Sequence, residues 1–211
     1  GEIIIAGTGT IYHAPEGTTL PNFLTDALDP DFLAVGFTTD DGAKFTDEKS
    51  TNQVRPWQSF YPVRTHITER SAMIEATLLQ WNEPNMILAY GGGGITEPSA
   101  GEYRYHPPAP EELAIVAIVI DFTDGDKDYR FTAGRAFVTS NTETTWAKSG
   151  PALLPITFEI LAPEGAGDPW TIDWLNRSAV GAVERGAELV QVDQVVGGNF
   201  PACYRADHGH A

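Results

Sequence analysis

The stretch Thr51-Asn52-Gln53-Val54-Arg55-Pro56-Trp57-Gln58-Ser59, followed by Pro62-Val63-Arg64-Thr65 and by the run from Ser71 to Trp81, decides how the chain is read. It predicts a strand bearing the Trp57-Gln58 pair, a strand bearing Pro62-Val63-Arg64-Thr65, and a third, mostly apolar strand. In the third, Ala72, Ile74, Ala76 and Leu78 fall on one face, as the two-residue repeat of an extended chain requires. The opposite face mixes Met73, Leu79 and Trp81 with Glu75 and Thr77, so both faces need some cover. In a monomer the second face would be an exposed apolar patch, whereas in an oligomer it finds a partner.

One helix is predicted immediately downstream, from Glu83 to Tyr90. Asn82 can accept from the unpaired amides of the first turn, and Pro84 is tolerated there because its missing N–H would go unbonded. Met86, Ile87 and Tyr90 form the expected apolar stripe, and Gly91 supplies the left-handed cap. Gly91 to Gly94 reads as a flexible link, and Pro107-Pro108-Ala109-Pro110 as a rigid break.

Working outward, strand signals dominate. Ile156, Phe158 and Ile160 alternate with Thr157 and Glu159, and Glu102-Tyr103-Arg104-Tyr105-His106 does the same with its two tyrosines. Both predict half-buried strands. The segments from Leu113 to Phe122 and from Asp128 to Ser140 predict a hairpin, because their connector contains Asp124-Gly125. Leu113 to Ile120 is the longest apolar run, suited to a strand buried on both faces and far too short for a membrane span. Asp40-Asp41-Gly42 predicts another turn, between Phe37 and Phe45. Beyond Gly165, Trp170, Ile172 and Trp174 predict a short aromatic strand. Residues from Ser178 to Val190 carry a helical pattern, with Gly181 and Gly186 each costing roughly 1 kcal/mol relative to Ala. The end, from Gly197 to Ala211, reads as a loose tail, either an arm onto a neighbouring subunit or a disordered extension.

The 211 residues suffice for one all-β domain, or one domain with an appendage. Gly1-Glu2-Ile3-Ile4-Ile5 lacks the basic region and long apolar core of a signal peptide. Cys203 is the single cysteine, so no internal disulfide framework is expected, which fits assembly in a reducing cytoplasm. The formal charge of −16 argues against a sequence-specific duplex-DNA binder, which needs a basic face. The acids concentrate early: residues 1–50 hold nine against Lys44 and Lys49, whereas residues 51–110 set Arg55, Arg64, Arg70 and Arg104 against five. Arginine's planar fork suits desolvated pairs across an interface. Arg55, Arg64 and Arg70, with Trp57 as an aromatic anchor, are therefore the candidate subunit-interface residues.

No constellation for chemistry emerges. Gly7-Thr8-Gly9 lacks the third glycine of a dinucleotide fingerprint, and the glycine run at 91–94 lacks the Lys-Ser/Thr of a phosphate loop. Asp124, Asp126 and Asp128 have the spacing that starts a calcium loop but not its later Gly and Glu, and they sit where a hairpin must turn. Cys203, His208 and His210 lack the second ligand pair that closes a zinc tetrahedron. His13, His66 and His106 are scattered on predicted strands. With neither a Gly-x-Ser-x-Gly elbow nor a His-Glu-x-x-His, the expectation is no catalytic residue, no cofactor and no metal.

The order of these pieces resembles the major tail tube proteins of long, non-contractile-tailed bacteriophages. Gly9-Thr10-Ile11-Tyr12-His13-Ala14-Pro15-Glu16-Gly17-Thr18-Thr19-Leu20-Pro21 is similar to that family's opening strand and turn. Val35-Gly36-Phe37-Thr38-Thr39-Asp40-Asp41-Gly42 is similar to its next strand and turn. The resemblance covers roughly residues 9 to 91, with strands continuing the pattern to about Pro163. It implies a mainly β tail-tube-type β-sandwich or barrel with one short flanking helix, residues 1–163, and a C-terminal extension or arm, residues 164–211. It also implies a non-enzymatic virion protein whose copies form hexameric rings stacked into a tube, their inner strands joined in one barrel. By the same resemblance the partners are the chain itself, the tape measure protein, the tail terminator and distal tail proteins, and genomic DNA passing without specific binding. No membrane is involved, and the protein belongs in the phage tail, after assembly in the host cytoplasm. Six copies would carry about −96 before screening, which would repel DNA sliding through the bore. The competing expectations are a carbohydrate-binding or adhesive β-sandwich, with Trp57, Trp170 and Trp174 stacking on sugars, and an acid-dependent enzyme on a β scaffold.

Overall fold

The computed structural model describes residues 4–109, 111–139, 144, 146, 148 and 150–178. The helix expected over 178–190 (Ser178 apart) and the tail with Cys203, His208 and His210 lie outside the described residues. The elements are β1 (Thr8–Pro15), β2 (Leu33–Ala34), β3 (Thr38–Val54), β4 (Arg64–Leu78), α1 (Glu83–Ala89), β5 (Gly94–Ser99), β6 (Glu102–His106), β7 (Ile115–Asp124), β8 (Lys127–Val138), β9 (Leu154–Ile160) and β10 (Trp170–Asn176). The main sheet runs β2-β1-β7-β8-β9-β4-β3, with β10 pairing β8, while β5 and β6 make a separate ribbon. Neighbours along that path are all antiparallel. Among the described residues the fold is mainly β with one short helix, α1, as the sequence predicts. The first compact unit runs from Gly1 to Leu175.

Alternation places the core. Leu154, Ile156, Phe158 and Ile160 of β9 and Ala72, Ile74, Ala76 and Leu78 of β4 are buried on one face. Ile118, Ile120 and Phe131 from β7 and β8 join them. The sheet curls so that its ends approach: Gly9 and Ile11 of β1, Phe45 of β3 and Phe122 of β7 line one cavity, and Phe45 meets Phe131 with ring centres 5.1 Å apart. A smaller cluster on the other face holds Ala14, Phe32, Ala117 and Val119, covered by Leu20 and Leu28. The central residues of β7, Ala117 to Ile120, are thus buried on both faces, as their unbroken apolar run predicts.

The structure departs from several local expectations. Trp57 and Gln58 lie in the β3–β4 connection, not on a strand, and Arg64-Thr65 opens the same unbroken strand that carries Ala72 to Leu78. Pro56 and Pro62 have no N–H for a ladder, so they bracket the tip rather than joining the sheet. Asp40-Asp41-Gly42 does not reverse the chain; it forms a bulge inside β3, with Gly42 at φ 68° and the β4 pairing shifting between Thr38 and Ala43. Tyr103 of β6 is exposed, because β6 pairs only with β5. Tyr105 alone gains cover and donates its hydroxyl to the Gly92 carbonyl at 2.7 Å.

Asn82 caps α1, its side chain accepting from the Asn85 amide at 3.0 Å. The buried face is Asn85, Leu88 and Ala89, not the predicted Met86, Ile87 and Tyr90. A polar anchor explains the difference: the Asn85 side-chain amide donates to the carbonyls of Val35 at 2.8 Å and Gln80 at 3.0 Å. The glycines after α1 form a tight turn rather than a loose link, with Gly91, Gly92 and Gly93 all at positive φ. A methyl on Gly93 would run into the His106 carbonyl, whereas one on Gly94 meets nothing within 4 Å. Gly93→Ala is therefore expected to lower stability by about 1–3 kcal/mol in chemical denaturation, with Gly94→Ala as the near-neutral control.

Candidate subunit interface

From Glu48 to Arg70 nearly every residue is exposed, so β3 and β4 leave the body as a two-stranded ribbon. The sequence has the matching signature: 48–54 and 64–70 carry polar residues on both faces, giving neither face a core to cover. At about 3.4 Å per residue, the seven-residue arm from Glu48 to Val54 projects roughly 20–25 Å. Register is kept by pairs from Glu48↔Ser71 to Val54↔Arg64, with one shift between Ser50 and Thr51. The base is fixed by the Arg70 guanidinium, which forks onto Asp47 through two bonds of 2.9 Å, and by Lys44 paired with Glu75 at 2.8 Å. The Arg70 guanidinium holds the Asp47 carboxyl below its usual range. Arg70 also lies 6.0 Å from the ring centre of Trp170, which packs edge-on against Phe45 at 4.9 Å.

The tip is apolar and ordered by its own bonds. Val63 donates to the Val54 carbonyl at 3.0 Å, closing the connection, and Tyr61 N–H donates to Ser59 Oγ at 3.1 Å. That leaves Trp57 99% exposed, Phe60 98% and Tyr61 80%. Three aromatic rings held in solvent by a structured turn have the composition of an interface anchor. Among the described residues the Arg55 guanidinium bonds only the Gln53 side chain, at 3.0 Å, and the Arg64 guanidinium has no hydrogen-bond or ion-pair partner. Residues 51–68 contain these two arginines and no acid, in a chain of net charge −16.

Of the four candidate residues, Trp57, Arg55 and Arg64 therefore gather at the tip, while Arg70 stands at the base with its guanidinium engaged within the chain. Phe60 and Tyr61 were missed from the sequence; the bracketing prolines were the signal that could have found them. The rival sugar-binding residues separate: Trp170 is packed among Phe45 and Phe131, whereas Trp174 lines a different depression beside Phe23 and Leu24. Among the described residues no group of three His, Cys, Asp or Glu side chains is placed to hold a metal ion. No helix among them is long and apolar enough to cross a membrane.

Two further surfaces matter. Among the described residues no strand pairs the outer edge of β3, which leaves a long edge open to pairing. At the far end of the molecule from the ribbon, an apolar cavity of about 470 Å³ opens between α1, β1 and β7. His13 lines it, with a buried Nε2 that has no hydrogen-bond partner among the described residues. Burial lowers the His13 pKa below its ordinary value. The unfolded chain then takes up this proton near pH 6.5 and the folded chain only at lower pH. Stability is expected to be unaffected by this group above about pH 6.5, to fall as pH drops from there through the folded value, and to level off below it. Urea midpoints measured across that window should show the fall, and His13→Phe should remove it.

Compared with known proteins, the chain matches the family model described as phage tail tube protein over residues 1–184. Among solved structures, a chain from the virion of a native gene transfer agent particle aligns with 70% of this chain and 92% of its own, at 13% identity and a TM-score of 0.36. No curated protein matches.

Proposed function

Because the chain belongs to the phage tail tube protein family, a structural component of the virion tail, we propose that it polymerises with copies of itself into hexameric rings stacked as a tube that conducts DNA. The observation that carries this reading is the β3–β4 ribbon, whose apolar tip stands exposed with nothing among the described residues to cover it. A soluble monomer has no physical use for three rings held in water; a subunit that must grip another copy does. The open edge of β3 supports the same reading, since joining inner strands around a ring removes a free edge. Trp57, Arg55 and Arg64 act at subunit contacts, and Arg70 braces the ribbon that carries them.

The tube's role is mechanical and electrostatic rather than catalytic. On the outward face of β3, β4 and β9, the register sets Glu48, Glu75 and Glu159 against Lys44 alone. An acidic bore of this kind repels phosphates and lets DNA pass without binding. The tape measure protein within the tube, and the terminator and distal tail proteins at its ends, are the further proposed partners. Residues 1–163 form the tube domain, and 164–211 an extension whose first strand, β10, pairs back onto β8 of that domain. Sedimentation velocity over a rising concentration series tests the proposal. Species heavier than the subunit that grow with concentration, in multiples of six, are expected; one monomer peak throughout would refute it.

A further inference from the structure

The ribbon tip and the apolar cavity lie at opposite ends of the same strand. β4 begins at Arg64 beside the tip and ends at Leu78, from which the chain enters α1 at the cavity. The neighbouring strands keep this polarity: Pro15 at the end of β1 pairs Val116 near the start of β7, Ile115 pairs Phe137 near the end of β8, and Leu154 at the start of β9 pairs Leu78 at the end of β4. The fifteen residues of β4 span about 50 Å, so a tip cannot fill the cavity of its own chain. Resting on the tube reading, we propose that the cavity at the α1 end is the receptor for the ribbon tip of a second copy, joining subunits head to tail.

Complementarity supports this occupant. The cavity is walled by Leu33, Ile87, Ile115, Val116 and Val138, apolar residues that are not fully buried. Its volume lies within the roughly 300–1,000 Å³ of sites that enclose small ligands, room for an aromatic side chain such as Trp57 or Phe60. Among the described residues Asp31 and Glu83 are the acids that line it, and no Lys or Arg does. The incoming tip brings Arg55 and Arg64 and no acid. Aromatic rings enter an apolar socket while two cations meet two anions at its rim, an arrangement that sets register and suppresses wrong partners. A contact between two different patches leaves one free patch of each kind on every pair, so repetition yields a ring or a filament rather than a dimer.

The test replaces Phe60 with the photoreactive p-benzoylphenylalanine in the full chain, irradiates assembled protein, and maps the adduct by mass spectrometry. Adducts joining two copies, with the acceptor peptide covering 83–92, 31–33 or 114–116, are expected. Tubes that form normally but crosslink position 60 elsewhere would overturn the docking and leave the tube reading standing. Failure of the unmodified chain to form any tube would instead overturn the reading on which the docking rests. A charge exchange gives an independent readout. Arg55→Glu with Arg64→Glu should raise the concentration needed for assembly about tenfold or more, and adding Asp31→Lys with Glu83→Lys should recover most of it. A quadruple variant no better than the double one contradicts the pairing.

Discussion

A chain carrying Trp57→Ala, Phe60→Ala and Tyr61→Ala is expected to melt at the wild-type temperature and yet stay unassembled where the wild type assembles. The first half follows from exposure: these rings are 80% or more in water, so truncating them removes almost no packing from the folded subunit. Surface substitutions of that kind shift stability by about 0.5 kcal/mol or less. The second half follows from what the rings cover once docked. Each buries roughly 150–250 Å² in a contact, worth several kcal/mol per ring at about 25 cal/mol per Å² before the costs of association. Losing three should weaken each subunit contact by a thousandfold or more, at about 1.4 kcal/mol per factor of ten. Differential scanning calorimetry paired with sedimentation separates the two halves. A variant that still assembles at wild-type concentrations would show that the tip makes no subunit contact.

The largest expected loss of subunit stability is at Arg130. Its guanidinium forks onto Asp121 at 2.7 and 2.8 Å and donates to the carbonyls of Phe23 at 3.2 Å and Asp26 at 3.0 Å. The side chain is only 8% exposed and its Asp121 partner 29%. This cation therefore ties the loop over residues 20–32 to the β7–β8 hairpin. Asp26 completes the tie, its carboxylate accepting from the amides of Asn22 and Phe23 at 3.1 and 3.2 Å. Arg130→Ala leaves a half-covered carboxylate and two carbonyls without their donor, and should cost about 3 kcal/mol. Because the penalty comes largely from the orphaned Asp121, the double variant Arg130→Met/Asp121→Leu should lose markedly less. Urea denaturation of both checks the pair, and an unchanged midpoint for Arg130→Ala would contradict this role.

What was legible in the sequence was local. The alternation of β9, the two-faced burial of β7, the Asp124-Gly125 turn and the Asn82 cap each depend on residues within a few positions of one another. The neighbours of Trp57 favour extension and so predict a strand there, but the ribbon has no apolar face, and a period of two carries no signal. Whether Asp40-Asp41-Gly42 turns or bulges depends on β4, which recaptures β3 at Ala43. Asn85 escaped the stripe reading because its burial serves the backbone carbonyls of Val35 and Gln80. The candidate interface was half legible: Trp57, Arg55 and Arg64 were named from composition, while the receptor cavity is assembled from β1, α1, β7 and β8 and has no local signature.

Cryo-electron microscopy of the purified chain at high concentration tests the central claim most directly. The expected image is a hollow tube of stacked six-membered rings. Its acid-lined bore should be wide enough for a DNA duplex, with the ribbon tip of each subunit seated at the α1 end of another. Particles that remain single subunits at every concentration, or a tube whose bore is lined by arginine and lysine, would contradict it.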